Sequence, residues 1–223
     1  MSFWGQAATI ARHELKVESR AGEAFTIVLP FGIVALMALP FALGADLPLI
    51  SRVGPGVFWV ITLVFGLQVA LRPSSYREPA QRDLMALLGV DPAARYTGRC
   101  LGSGLLLAGV GAALALAMVV LYSPDPIDGW PVLVGVGLLF VTGLVQLGVL
   151  ASDLTAGLRG RALLAPLLAT PLAIPLLLGA SQAQEELARG GVILPWVLLL
   201  VAADLILAVS GVLSARPLEE AAE

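Results

Sequence analysis

The 223-residue chain has little charge, one cysteine and one histidine, and each shortage excludes a class of protein. Only 13% of its residues are charged while 58% are hydrophobic, which is too little charge to cover the surface of a soluble domain. The single cysteine, Cys100, cannot form an internal disulfide, and we interpret it as a small residue of an apolar segment. The single histidine, His13, lies in a charged N-terminal segment, which excludes an intramembrane Ser–His protease.

Motifs for metal, covalent heme and nucleotide binding are missing as well. The sequence has no Cys/His cluster, no CxxCH and no GxxxxGK[ST]. We therefore expect a chain without a catalytic site, metal or cofactor of its own. Any energy for its function would come from a partner or from a gradient.

Six apolar stretches predict an all-α integral membrane protein that forms one domain over residues 1–223. Each stretch is close to the ~20 residues that cross ~30 Å of hydrocarbon as a helix, and continuous apolar runs exclude a β-barrel. The first span follows a long charged lead-in and exceeds a cleavable signal in length, so we expect an uncleaved anchor. The predicted spans are Ala24–Gly44, Val53–Leu71, Cys100–Leu121, Val132–Ala151, Ala162–Ala180 and Val192–Leu213.

The basic residues lie mostly on one side of these spans. Eleven of the 13 fall in the N-terminus, the second and fourth loops and the tail 214–223, whereas only Arg52 and Arg189 lie opposite. The positive-inside rule then places both termini in the cytoplasm. Three tryptophans at outer span ends are expected to be interface anchors: Trp59, Trp130 and Trp196. The eleven are Arg12, Lys16, Arg20, Arg72, Arg77, Arg82, Arg95, Arg99, Arg159, Arg161 and Arg216.

The N-terminal segment 1–23 has the pattern of an amphipathic helix from Phe3 to about Ala21. Apolar residues recur at helical spacing, and charged residues cover the remaining surface. We interpret the segment as a helix lying on the membrane; a solvated cytoplasmic helix is the alternative. Gly22 would let the chain turn into the first span. The apolar positions are Trp4, Ala8, Ala11 and Leu15, with Phe3, Ala7 and Ile10 beside them.

The cytoplasmic loop 72–99 is the longest connection and contains a second short helix pattern. The segment 79–89 begins with proline and ends with glycine, as helices often do. Its leucines form one apolar face, which either docks into a groove on a cytoplasmic partner or lies on lipid headgroups. The leucines are Leu84, Leu87 and Leu88, and the charges near the helix start are Arg77, Glu78, Arg82 and Asp83.

Glycine and proline are concentrated in three of the spans. The third span repeats small residues at every fourth position, at Gly109, Ala113 and Ala117, and the fourth span is also rich in glycine. This pattern favours close helix packing. The fifth span contains Pro166, Pro171 and Pro175, which predict a kinked or broken helix. In lipid the freed carbonyls need other donors, such as Thr170. The span would be a moving element or only a bend.

Polar side chains inside the spans are few. Among them are Gln68, Thr142, Gln146 and Asp204. A charge at the position of Asp204, just past the middle of the sixth span, costs ~2.5–3.5 kcal/mol on insertion scales. We expect this residue to face the bundle interior or a partner protein, or to be protonated. Gln68, Gln146 and the loop with Arg159 and Arg161 are its candidate partners, in a packing role or in a transport path.

Three groups of residues form recognisable motifs. They are Gly54, Pro55, Gly56 and Trp59 at the second span, Leu154, Thr155, Gly157 and Arg159 in the fourth loop, and Pro166, Pro171 and Pro175 in the fifth span. With these motifs the chain resembles, over nearly its whole length, the B subunit of the cytochrome c maturation heme exporter (CcmB), an ABC-type permease subunit. Three departures occur: Met85 stands where the family has glutamate, the proline of the loop is moved to Pro92, and Arg161 stands where glycine is common.

The resemblance implies partners that the chain itself does not contain. The segment Tyr76–Gly89 would be a coupling helix on an ABC ATPase subunit that binds ATP. A separate heme-handling membrane subunit and a periplasmic heme chaperone would complete the system, with heme as the transported ligand. Two alternatives stay open: an ABC-2-like exporter subunit for another amphiphile, and a scaffold that moves no substrate and couples an ATPase to complex assembly.

Overall fold

The computed structural model describes residues 2–22, 24–44, 46–71, 89–124, 129–155 and 161–220, and all regular structure in those ranges is helical. Within these ranges, six helical segments are long and apolar enough to cross a membrane, one of them made by the π-helical segment together with α2. The predicted all-α membrane fold is thereby confirmed. The helices are α1 (Phe3–Ala21), a π-helical segment (Ala24–Val28), α2 (Leu29–Leu43), α3 (Leu47–Ala70), α4 (Pro92–Tyr122), α5 (Trp130–Leu154), α6 (Arg161–Ala188) and α7 (Leu194–Glu220).

Two membrane helices begin earlier than the apolar pattern predicted. α4 begins at Pro92 rather than at Cys100, because Asp91 caps it by accepting a hydrogen bond of 3.0 Å from the Ala93 N–H. α3 likewise begins at Leu47, behind an aspartate cap. A capped helix start depends on backbone hydrogen bonds, so it can precede the apolar run that hydropathy detects.

α1 has the predicted bounds, but its apolar surface is divided between two environments. Ala7, Ile10 and Ala11 are buried, and α1 packs against α4. Trp4 lies on the outside of the bundle and is mostly exposed. One side of α1 is therefore attached to the protein. That the opposite, exposed side lies on a membrane surface remains a prediction.

Two glycines of α4 allow α1 to approach closely. A Cβ atom at Gly98 would lie 2.7 Å from the carbonyl oxygen of Ala7, and one at Gly102 would lie 2.9 Å from the Glu14 Cβ. These separations are too short for real side chains. Small residues at these positions are therefore required for the packing of α1 on α4.

Only some of the small residues expected to pack closely do so. On α4, a Cβ at Gly109 would lie 3.3 Å from the ring of Phe25, whereas a Cβ at Gly111 would meet nothing within 4 Å. On α5, a Cβ at Gly148 would lie 2.3 Å from the Cβ of Ala70 on α3. The prediction of close packing is thus confirmed for individual glycines and not for every member of the pattern.

The turn between α1 and the first span is stabilised by a glycine backbone conformation and by a side-chain hydrogen bond. Gly22 has a left-handed backbone with φ of 66°, which glycine adopts without steric cost. The buried carboxylate of Glu18 accepts a hydrogen bond from the backbone N–H of Ala24. The predicted turn at Gly22 is confirmed, and the carboxylate fixes the start of the π-helical segment.

α5 occupies the centre of the bundle. It packs against α3, α4, α6 and α7, and it contributes several fully buried side chains, among them Phe140, Leu144 and Leu147. The outer surfaces of α2, α6 and α7 expose large apolar side chains, as lipid-facing surfaces do. A side chain on α5 that points inward is therefore remote from both lipid and water.

α6 is a continuous helix from Arg161 to Ala188 and passes through Pro166, Pro171 and Pro175 without interruption. Of the two predicted outcomes, a kinked or a broken helix, the break is therefore wrong and the kink stays a prediction. Thr170 donates a hydrogen bond of 2.7 Å to the Pro166 carbonyl, which is not one of the carbonyls that the prolines free four residues before them. Whether the span moves remains a prediction.

Trp59 is not an interface anchor. Its side chain is 3% exposed, its ring centroid lies 5.2 Å from that of Phe140, and its indole N–H donates to the buried Gln184 carbonyl oxygen. The predicted span began at Val53, which placed Trp59 near the outer end of the span. Because α3 begins at Leu47, the residue lies further inside the helix. Trp130, by contrast, is 69% exposed at the start of α5, and Trp196 is partly buried near the start of α7.

Candidate functional site

α7 carries a carboxyl group in the middle of the bundle. Asp204 lies ten residues after Leu194, the first residue of α7, which is about 15 Å along a helix axis and so about halfway through ~30 Å of hydrocarbon. The residue is 7% exposed, and neither carboxyl oxygen has a hydrogen-bond partner. The predicted interior position is confirmed, although a role does not follow from burial alone.

The Asp204 carboxyl group occupies a space that exists because residue 143 is glycine. A Cβ atom at Gly143 would lie 2.4 Å from Asp204 Oδ1 and 2.6 Å from Leu176 Cδ2. The glycine of α5, the leucine of α6 and the aspartate of α7 therefore meet at one level of the bundle. Any side chain at position 143 would displace the carboxyl group.

A second unsatisfied polar atom lies one helical turn from this contact. Gln146 follows Gly143 by one turn of α5, and its buried Oε1 has no hydrogen-bond partner. The Tyr96 hydroxyl of α4 lies 3.4 Å from the backbone carbonyl oxygens of Gln146 and Leu207. Since Leu207 is itself one turn beyond Asp204 on α7, the polar groups of α4, α5 and α7 converge at this junction.

One of the predicted partners of Asp204 does not meet it. Gln68 is exposed on α3, whereas α7 packs against α4, α5 and α6, so this pairing is wrong. Arg159 and the side chain of Arg161 lie outside the part of the chain that the structure describes, so a pairing with that loop stays a prediction. Among the described side chains, Gln146 is the remaining candidate.

An ion pair joins α4 and α5 near one end of the bundle. Arg99 Nη1 lies 2.5 Å from Asp153 Oδ1, and the two side chains are 13% and 28% exposed. A charge-assisted hydrogen bond of this kind fixes the positions of both helices more strongly than a neutral one. The sequence analysis used Arg99 only to orient the chain in the membrane and missed its ion pair. The acidic Asp153 at the end of an apolar span could have indicated a basic partner.

The seven predicted ATPase-docking residues lie outside the described residues, so docking remains a prediction. The structure does describe the chain that follows this segment. Gly89 has a left-handed φ of 67°, and the backbone N–H of Asp91 donates to Gln6 Oε1 of α1 at 3.0 Å. The exit from the segment is therefore tied to α1 and α4 together. The seven residues are Arg77, Glu78, Arg82, Asp83, Leu84, Leu87 and Leu88.

The family-motif residues of the second span take part in helix packing. Gly54, Pro55 and Gly56 lie within α3, and a Cβ at Gly54 would lie 2.5 Å from the Tyr122 ring. The Tyr122 hydroxyl donates to the Leu36 carbonyl at 2.7 Å. The glycine thus admits the ring that links α2, α3 and α4.

The motif residues of the fourth loop are described only in part. Leu154 is the last residue of α5, and the buried Thr155 hydroxyl donates to the Ala151 carbonyl at 2.9 Å. The threonine therefore satisfies a backbone carbonyl in the last turn of α5, where the helix ends. Gly157 and Arg159 lie outside the described residues.

The chain is similar to a known family along most of its length. The family model described as CcmB protein matches residues 6–219. Heme exporter protein B of Paracoccus denitrificans is 31% identical over 182 residues, which cover 79% of this chain and 81% of that protein. Proteins of the same name from Rhodobacter capsulatus and Haemophilus influenzae are 30% identical over 181 residues and 29% identical over 178 residues, covering 79% of this chain in each case and 81% and 80% of those proteins.

Proposed function

The chain belongs to the CcmB protein family, and from this membership we propose that it is the membrane permease subunit of an ABC-type heme-export complex in cytochrome c maturation. The single observation that supports the proposal most strongly is the match over residues 6–219, together with relatives named heme exporter protein B. The six apolar helices are the body that such a subunit needs to cross the bilayer.

The proposed orientation places both termini and the 72–88 segment on the cytoplasmic side of a bacterial inner membrane. It is supported by the eleven basic residues on that side of the helix map. α1 carries three of them, Arg12, Lys16 and Arg20, along the surface that it does not bury against α4. In this orientation α1 lies at the inner membrane surface, where cationic side chains meet anionic headgroups.

ATP would be hydrolysed by a partner subunit that docks on the coupling helix. The sequence has no nucleotide-binding motif of its own, and the docking segment connects α3 to α4. Because Asp91 is bonded to Gln6 and α1 is packed on α4 through Gly98 and Gly102, a displacement of the segment would move α1 and α4 as one unit. This connection gives ATP-driven motion a direct route into the bundle, for heme delivery or for release of a periplasmic heme chaperone.

A deletion strain tests the heme assignment. We expect loss of holo-cytochrome c, detected by heme staining, and recovery when the wild-type chain is supplied in trans. Normal heme staining in the deletion strain would exclude the function. Reconstituted vesicles containing the whole complex then separate transport from scaffolding, because ATP-dependent heme movement is expected only if the subunit forms part of a transport route.

The docking surface is tested by co-purification of the ATPase. Leu84→Asp and Leu87→Asp place a charge on the predicted apolar face, and each should remove the ATPase from the purified complex, since a buried unpaired charge is strongly unfavourable at an interface. Ala86→Asp is the matched control, because Ala86 falls on the opposite face of the predicted helix. Retention of the ATPase by both leucine variants would exclude this face as the contact.

A further inference from the structure

Within the described residues, no donor or cation compensates a negative charge on Asp204. Its two carboxyl oxygens are buried and accept no hydrogen bond, and the side chain lies near the middle of the membrane-spanning length of α7. An ionised carboxylate at such a position is normally paired with a cation or surrounded by donors. When the carboxylate binds a proton, its negative charge is neutralised and its new O–H group becomes a hydrogen-bond donor.

Among the described side chains, the helices around Asp204 place no hydrogen-bond donor against either of its carboxyl oxygens. α4 presents Tyr96, whose hydroxyl faces two backbone carbonyls, and Arg99, whose guanidinium is paired with Asp153 of α5. Cys100 of α4 follows Arg99 and is neutral as a thiol. Among the described side chains of α6, the ionisable groups are acidic and lie near its far end, at Glu185 and Glu186.

The unsatisfied acceptor nearest along the helix is a glutamine oxygen. Asp204 Oδ1 lies against Gly143 of α5, and Gln146 Oε1, one turn further along the same helix, is buried without a donor. Two acceptors cannot bond to each other unless a proton lies between them. One proton on the carboxyl group would satisfy both atoms at once when the amide oxygen faces it, whereas an ionised carboxylate would repel that oxygen.

We propose that Asp204 and Gln146 form an intramembrane proton-binding site, in which the protonated carboxyl group of α7 donates a hydrogen bond to the side-chain oxygen on α5. The proton comes from water and returns to water, and no other bond forms or breaks. Release of the proton leaves a carboxylate facing an acceptor in an apolar junction, so it requires α7 to move away from α5 or water to enter. Proton release is thereby linked to separation of these two helices or to entry of water between them. The site does not depend on heme being the transported ligand.

Infrared spectroscopy of the full chain in lipid tests the protonation directly. At neutral pH we expect the carbonyl stretch of a protonated carboxylic acid in the wild type and its loss in Asp204→Asn. Aspartate in water is ionised at this pH because it titrates at ~3.9. Labelling of aspartate carboxyl groups with ¹³C in the wild type identifies the same band by its isotope shift, even if the variant does not fold. Absence of a shifted band in the labelled wild type would overturn the proposal.

Two glycine variants test the geometry of the site. In Gly143→Ala the new Cβ would displace the carboxyl group, since the contact is 2.4 Å, and the band should weaken or shift. Gly135→Ala lies on the same helix with nothing within 4 Å and should leave the band unchanged. An equal effect of both variants on the band would exclude the space next to Gly143 as part of the site.

Two further measurements identify the partner and the bound ion. In Gln146→Leu the carbonyl stretch should move to higher frequency because its hydrogen bond is lost, and an unchanged frequency would overturn the pairing with Gln146. In the wild type, replacement of sodium by a bulky organic cation should leave the band unchanged. A band that appears only after sodium is removed would show a cation site in place of a proton site. Heme staining of cytochrome c is not used as a readout, so failure here is distinct from failure of the proposed function.

Discussion

Gly148→Ala should separate two helices of the core. The Cβ of this alanine would lie 2.3 Å from the Cβ of Ala70 and 3.0 Å from the Ala70 carbonyl carbon. Ordinary contact begins at 3.4 Å, so α3 and α5 would have to move apart by roughly 1 Å in a closely packed interior. The atoms in contact belong to backbone and to a short side chain, which means that no rotamer change can relieve the clash.

The expected cost follows from two opposing effects. Overpacking of a filled core destabilises by ~1–3 kcal/mol, whereas replacement of glycine by alanine in a helix interior stabilises by about 1 kcal/mol. Gly135→Ala on the same helix has nothing within 4 Å, so it should show only the stabilising effect. The difference between the two variants removes the shared propensity and should equal the overpacking cost.

Unfolding of the purified chain in mixed micelles of a mild detergent and sodium dodecyl sulfate provides the measurement. We expect Gly148→Ala to unfold at a fraction of dodecyl sulfate equal to or below that of the wild type, and Gly135→Ala to unfold at a higher fraction. The helical signal in circular dichroism reports the transition for both. Coincident transitions of Gly148→Ala and Gly135→Ala would refute the close contact of α3 and α5 at this position.

Two other contacts lead to predictions of the same kind. Arg99→Ala removes the guanidinium from Asp153 across the interface of α4 and α5 and should destabilise the chain by ~1.5–3 kcal/mol; a double-mutant cycle with Asp153→Ala should give a coupling energy well above zero, and additive effects would contradict the ion pair. Trp59→Phe leaves the buried Gln184 oxygen without its indole donor and should cost about 1–3 kcal/mol. Trp130→Phe, at a residue that is 69% exposed, should leave stability unchanged, and an equal loss in both variants would argue against a buried hydrogen bond.

The number and approximate positions of the membrane helices could be predicted from the sequence, because hydropathy and length are local properties. The bounds of α1 were predicted for the same reason, from its amphipathic spacing. The starts of α3 and α4 were not, because Asp46 and Asp91 cap those helices ahead of the apolar runs. The predicted break at the prolines of α6 did not occur, since each loss of a single hydrogen bond leaves the rest of the helix intact.

The candidate site could be predicted less well. Asp204 was expected in the interior and lies there, since an isolated carboxyl group in lipid is unfavourable. Gln68 and Gln146 look alike in the sequence, yet the first is exposed and the second has a buried oxygen at the junction of α4, α5 and α7. The docking helix around Leu84 and Leu87 lies outside the described residues and stays a prediction.

By itself the sequence determined that the chain crosses a membrane six times, which side carries the basic residues and where an amphipathic helix precedes the spans. Only the tertiary structure decided which surface of each span faces its neighbours. It placed Trp59 in the core, put the Asp204 carboxyl group against Gly143 and set Gly148 against Ala70. The physical reason is that lipid is as apolar as the interior of the bundle, so hydropathy does not fix the rotation of a helix that is apolar on every side; close packing and the few buried polar groups do.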